Sequence, residues 1–463
     1  MMLRTLVSTI VIFPLAVAPA AAQLPPEIAD KVDQSALRVL EETGVPSASV
    51  AVVHDGALAL TKAYGRARLD PPIAAAPAMR YSIGSISKQF TAAVLVMLAA
   101  DGKLSLDDKV AKFYPELTRA GDITVRQLLS HTAGIRDYWP QDYVPATMLA
   151  PITTDALMKD WAGQALDFEP GTKWQYSNTG YVIAGAIAEK VSGKPLLSLL
   201  DERIFLPLGM HSVLDIDQGR LTDADVTGYR RFALAAPRLA PKEGKGWLFA
   251  AGGLAMTAED LARWDLALID GRVPGPGVVG ELATETLLTS GVGTGYGLGV
   301  GLALEGDHRV LTHGGEVSGF TAMNRVYPED RAAIVVLTNQ DAAEAAGAIA
   351  REIADLIFIN ASPADAGALA RVSGILEGLR RGTIDRSLLT PNAIEYFSTE
   401  ALADMKSSLG RLGPPKGVTQ LRQGLRGGLT TRVYRAEYKK KTLAIVTRSA
   451  PDGRFEQFTV GSG

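Results

Sequence analysis

The spacing of apolar and polar positions divides the chain into stretches with different periods. Residues 27–42 repeat at helical intervals, with Ile28, Val32, Ala36, Leu37 and Leu40 on one stripe, and Gly44-Val-Pro46 ends the run. Residues 48–53 and 57–64 read as two strands, and Asp55-Gly56 between them is a strong hairpin signal. Residues 91–100 carry no charge and are apolar on every face, which predicts a buried helix. Residues 101–285 read as mostly helical with long connections, including short helices at 124–130 and 181–191. Thr257-Ala-Glu-Asp260 looks like a capping box that opens a helix through Leu268. After residue 290 the period becomes two: 296–304, 308–313, 320–327 and 332–338 read as strands, and 341–358 as a closing helix.

Strand-rich ends around a helical middle predict an α+β fold. One antiparallel sheet is made from both ends of residues 23–362, flanked by the first and last helices, with an all-helical subdomain over about 101–285 packed beside it. Residues 361–365 read as a linker. Beyond it, helices at 368–380 and 399–409 and strands at 430–438, 443–448 and 454–460 predict a small accessory α+β domain over 363–463, in which no catalytic constellation is found.

Composition narrows the classes. The chain has 463 residues, a net charge of −3 and 47% hydrophobic residues, a globular composition with no nucleic-acid surface or polybasic membrane patch expected. The N-terminus differs. Met1-Met-Leu-Arg4, an apolar core from Leu6 to Ala18 and Ala20-Ala-Ala22 read as a signal peptide cut after Ala22, and so as export to the periplasm or beyond. No later stretch is apolar enough to span a bilayer. With no cysteine there is no disulfide framework and no thiol nucleophile.

Candidate chemistry begins at Ser85-x-x-Lys88, just ahead of the apolar run. On a helix these two share a face one turn apart, the hydroxyl beside the amine and the serine at the end whose free N–H groups favour negative charge. Burial would push the Lys88 pKa downwards. Two more motifs follow, Tyr176-Ser-Asn178 and His313-Gly-Gly315. His131 reads as a helix-capping, loop-holding residue, and no Gly-x-Ser-x-Gly elbow or Walker loop is present. The five histidines form no i, i+4 pair, so no metal site is expected, and no cofactor. Residues 291–301, where glycine alternates with other residues, read as a strand near the cleft.

In this order, the three motifs resemble those of the penicillin-recognising serine hydrolases: class C β-lactamases, D-alanyl-D-alanine carboxypeptidases and related esterases. The similarity extends to Lys88-Gln-Phe-Thr91, Leu128-Leu-Ser-His-Thr-Ala-Gly134 and Leu337-Thr-Asn339, and covers roughly residues 30–360. The resemblance implies a serine hydrolase with Ser85 as acylated nucleophile and Lys88 or Tyr176 as base, acting on a small ester, amide or peptide. It implies further that Asn178 orients the substrate amide or Lys88, that Gly314 and Gly315 admit the substrate backbone, and that the N–H groups of Ser85 and Glu316 form an oxyanion hole. At His313 the β-lactamases carry lysine. A mostly neutral histidine there favours an esterase or D-amino-acid peptidase over a β-lactamase or carboxypeptidase. The alternative from another class is a catalytically silent peptidoglycan- or ligand-binding protein.

Overall fold

The computed structural model describes residues 23–305, 308–358, 363–426, 429–439 and 441–462. The expected signal peptide, residues 1–22, lies outside the described residues, as do positions 361 and 362 of the expected linker.

A seven-stranded antiparallel sheet forms the frame. Its order is Ile73–Ala74, Ala57–Arg68, Ser47–His54, Ala332–Thr338, Phe320–Tyr327, His308–Val317, Gly301–Glu305. The first strands of the chain therefore pair with the last, Val50 opposite Val336 and Val52 opposite Ile334. The period of two sorts the side chains onto two faces. Val50, Val52, Ile334 and Val336 point into a core shared with helices Pro26–Thr43 and Ala345–Phe358. Ala51, Val53, Val335 and Leu337 point into the larger core around helix Ser87–Ala100. In that helix every residue from Ser87 to Leu98 is buried, which is why its sequence has no polar face.

The middle of the chain is helical but also holds four strands of two or three residues: Leu214–Asp215, Tyr229–Arg230, Arg238–Leu239 and Leu254–Met256. Two local expectations change. Thr257 does cap helix Ala258–Ile269, its hydroxyl accepting from the Asp260 N–H, but the Asp260 carboxylate turns away to the N–H and hydroxyl of Ser212, so the box is not reciprocal. Residues 291–300 are not a strand. Gly291, Gly295 and Gly299 take positive φ, and regular pairing starts at Gly301.

Residues 363–462 have their own core around Val372, Leu379, Phe397, Tyr434, Ile445 and Phe458. Three helices accompany a four-stranded antiparallel meander of Gly417–Arg426, Leu429–Glu437, Thr442–Ser449 and Phe455–Ser462. The first of these strands has no expectation in the sequence, because its glycines and polar residues hide the alternation.

Candidate active site

Ser85 lies on a single turn, Gly84–Ile86, immediately ahead of helix Ser87–Ala100. Lys88, in the first turn of that helix, is 0% exposed. Its Nζ lies 3.0 Å from Ser85 Oγ, 2.7 Å from Asn178 Oδ1 and 2.7 Å from the Ala251 carbonyl oxygen. Burial pushes the Lys88 amine down to about 7, against the opposing charge of Asp137. The three contacts suit both protonation states. The ammonium donates to all three oxygens. The neutral amine donates to Asn178 and Ala251 and turns its lone pair to the Ser85 hydroxyl.

Asn178 is placed by the local sequence. Ser177 caps helix Asn178–Ser192, its hydroxyl accepting from the Gly180 N–H at 3.2 Å, so Asn178 starts the helix facing Lys88. The Tyr176 ring centre lies 4.8 Å from Lys88 Nζ. Burial holds the Tyr176 phenol well above its ordinary range, although the neighbouring Ser85 works the other way. Phenolate at Tyr176 is therefore disfavoured, and Lys88 is the group suited to take a proton near neutrality.

His131 follows helix Val125–Leu129 with φ at 60°, and its ring lies against Tyr176, with centroids 4.3 Å apart. Its Nδ1 accepts from the Ser177 N–H at 3.1 Å. Burial, with Lys88 and His313 nearby, keeps it neutral. It holds the Tyr176 loop and makes no contact with Ser85.

Strand His308–Val317 is paired to Gly301–Glu305 only as far as Thr312. From His313 onwards that edge meets the Ser85 turn instead. A Cβ at Gly315 would come within 1.9 Å of the Ile83 carbonyl oxygen and 3.4 Å of the Ser85 nitrogen; one at Gly84 would come within 2.6 Å of the Glu316 nitrogen. Only glycine permits this approach, and it brings the backbone nitrogens of Ser85 and Glu316 to one side of the cleft. A Cβ at Gly314, in contrast, would make only ordinary contacts, with the end of Met323 at 3.8 Å and the Ala322 carbonyl oxygen at 3.9 Å. His313 lies at the rear. Its Nδ1–H donates to the Gly314 carbonyl at 2.5 Å and its Nε2 accepts from the Tyr296 hydroxyl at 3.0 Å. That pattern fits the neutral ring, and burial pushes its pKa down to about 4.

Sequence reasoning missed two partners. Asp137 accepts from the Asn178 backbone N–H at 3.0 Å, the Asn178 side-chain amide at 3.2 Å and the Trp139 N–H at 3.2 Å. Burial raises its pKa, and those bonds together with the Lys88 charge oppose the rise. The other is the Ala251 carbonyl, which carries no side-chain signal at all. Spacing gave no hint of either; the polar Asp137 beside aromatic Tyr138 and Trp139 is the one weak cue.

A cleft of about 570 Å³, open to solvent, extends from Ser85 and Asn178 past Trp139, Tyr143 and Val317 to Glu316 and Asp341. Asp142, Glu316 and Asp341 line it, and among the described residues no lysine or arginine does. Among the described residues no group of three or more His, Asp or Glu is arranged to hold a metal ion.

The family model "Beta-lactamase" matches residues 30–357, and the chain belongs to this family. A D-aminopeptidase of Brucella anthropi is 29% identical over 323 residues, which cover 67% of this chain and 60% of the relative. The chain thus spans less than two thirds of that enzyme. A D-stereospecific amidohydrolase from Streptomyces sp. superposes with a TM-score of 0.62 at 28% identity, over 72% of this chain and 99% of its own. The octameric penicillin-binding protein homologue from Pyrococcus abyssi shares the fold over 94% of this chain and 96% of its own, with a TM-score of 0.63 at 21% identity.

Proposed function

We propose that this member of the β-lactamase family is a serine hydrolase that opens amide bonds through an acyl-enzyme on Ser85, and that its substrates carry a free amino group beside the scissile carbonyl. D-aminoacyl amides and short D-peptides are such compounds. The observation that carries the reading is the contact set of Lys88: a buried amine with its pKa near 7, two carbonyl acceptors and the Ser85 hydroxyl at 3.0 Å.

The steps follow from that arrangement. Neutral Lys88 takes the Ser85 proton as Oγ attacks the carbonyl carbon. The developing oxyanion is held by the N–H groups of Ser85 and Glu316, whose approach the glycines allow. The intermediate collapses, and the leaving amine receives the proton from Lys88, directly or through the Tyr176 hydroxyl. Water then attacks the Ser85 ester and gives its proton to the same base, which returns it to Ser85 Oγ as the acyl–oxygen bond breaks and the acid leaves.

Charge supports the choice of substrate. A carboxypeptidase or β-lactamase site needs a fixed cation for a carboxylate, whereas His313 is neutral and enclosed by Tyr296. The Glu316 end of the cleft is acidic and suits an ammonium. The D configuration rests on the D-aminopeptidase and the D-stereospecific amidohydrolase. A silent binding protein would have no use for a desolvated Lys88 beside Ser85. The same reading keeps residues 1–22 as an export leader and residues 363–463 as an accessory domain, on the sequence grounds given above.

The test is a panel of D-alanyl, L-alanyl and N-acetyl-D-alanyl p-nitroanilides together with a reporter cephalosporin. The expected order of kcat/KM puts the D-alanyl compound at least tenfold above each of the others. Preference for the N-acetylated compound or the cephalosporin would overturn the substrate reading.

A further inference from the structure

Beside the cleft stands a short hairpin that the hydrolytic chemistry does not use. Tyr229–Arg230 pairs with Arg238–Leu239, Tyr229 opposite Leu239, and residues 231–237 form the turn. The turn presents apolar side chains to solvent: Phe232 is 59% exposed, Leu234 89% and Leu239 68%. Between Asp225 and Glu243 the sequence has four cations, Arg230, Arg231, Arg238 and Lys242, and no acidic residue. We infer that this hairpin is an arm that docks the protein on a bilayer containing anionic phospholipid, with Phe232 and Leu234 entering the headgroup–acyl boundary.

Three features favour a lipid surface. First, three carbonyls of the turn are paired within it. Arg231 donates Nε–H to the Ala235 oxygen at 2.6 Å, an Nη2 hydrogen to the Leu234 oxygen at 3.0 Å and an Nη1 hydrogen to the Thr43 oxygen at 2.8 Å. The Ala235 N–H donates to the Phe232 oxygen at 3.1 Å. Each group paired in this way leaves water at lower cost, and Arg231 ties the turn to the body of the protein. Second, cations flank an apolar tip, the pattern that anchors interfacial segments on anionic headgroups. The Arg230 guanidinium sits 4.9 Å from the Phe232 ring centre, so charge and apolar anchor are held together. Third, the patch is small. A turn of this size cannot supply the roughly 20–30 residues a side of a stable protein interface, whereas a few inserted side chains with flanking charge suffice for reversible interfacial binding.

The root of the arm connects to the site. The Ser318 N–H donates to Glu243 Oε1 at 2.7 Å, its hydroxyl donates to the Pro241 carbonyl, and the Asp341 N–H donates to the Tyr229 carbonyl at 3.1 Å. Ser318 and Asp341 both line the cleft.

The test is flotation of the chain from Gln23 onward, which comprises every described residue, with phosphatidylcholine vesicles that contain or lack phosphatidylglycerol. Wild type is expected to float with the phosphatidylglycerol vesicles. Phe232→Ser/Leu234→Ser should lower the partition at least tenfold, with hydrolysis of a soluble substrate unchanged. Failure of wild type to float overturns the inference. So does undiminished flotation of the double variant, which would assign binding to residues 363–463, where 16 Lys and Arg face 9 Asp and Glu. A wild-type dimer that the double variant converts to monomer in light scattering, without vesicle binding, would assign the tip to a second copy and overturn it too.

Discussion

Asp137 accepts hydrogen bonds from both nitrogens of Asn178, the backbone N–H at 3.0 Å and the side-chain amide at 3.2 Å. With the amide nitrogen committed to Asp137, Oδ1 must face Lys88, where it lies 2.7 Å from Nζ. A carboxylate thus orients, through one amide, the acceptor that holds the candidate base. Its charge also favours the ammonium form of Lys88. Asp137→Asn removes that charge and lowers the Lys88 pKa further. With the neutral amine as the proposed base, the acid limb of kcat/KM should move to lower pH, by roughly one unit. An unmoved limb, or one moved upwards, contradicts the role given to Asp137.

Lys88 carries a second, independent prediction. Its folded pKa is near 7, against the ordinary lysine value of 10.5. Between those values the unfolded chain binds a proton that the folded protein does not. The contribution of Lys88 to wild-type stability therefore rises with pH from about 7 to about 10.5 and is flat below 7. Lys88→Met has no such term. The difference in melting temperature, variant minus wild type, should be larger at pH 6 than at pH 10, while kcat falls by about 10³. Equal differences at the two pH values would mean that Lys88 is not desolvated.

The two neutral histidines near the site invite a competing assignment of any inflection near pH 7. His313, bonded to Tyr296 and Gly314, has a pKa of about 4 and should not titrate between pH 5 and 8. His313→Gln should lower kcat/KM but leave the acid limb where it is in wild type. Loss of that limb in the variant would move the titration from Lys88 to His313.

Much of this was legible in the sequence, for identifiable reasons. The sheet follows from the short, β-branched apolar runs at 48–53 and 332–338, buried on both faces, which the structure pairs directly. Ser85 and Lys88 were readable because helical spacing and an apolar run need no tertiary information. Asp137 was not, since a lone aspartate in a loop has no period and meets Asn178 only through the fold. Ala251 contributes a carbonyl, which every residue has. At 291–301 alternating glycines imitated a strand, although positive φ at Gly295 and Gly299 breaks any regular pairing.

The acidic end of the cleft should discriminate by substrate charge. Glu316→Gln and Asp341→Asn keep the shape of each side chain and an oxygen for the N–H groups of Ala342 and Gly319. Combined, they should raise KM for a D-alanyl anilide about tenfold, equivalent to ~1.4 kcal/mol, with kcat nearly unchanged and the N-acetylated compound unaffected. An equal rise for both compounds would count against ammonium recognition.

The central claim is a covalent acyl-enzyme on Ser85, the residue that meets Lys88, Tyr176 and the glycine-lined edge of the sheet. The most direct measurement is intact-mass and peptide-mapping mass spectrometry after incubation with a fluorophosphonate and, separately, with a D-aminoacyl ester quenched in acid. The expected result is one adduct per chain, on the peptide that contains Ser85, absent from Ser85→Ala, which also loses turnover. No adduct on Ser85 from either reagent, with turnover intact in Ser85→Ala, would contradict the account.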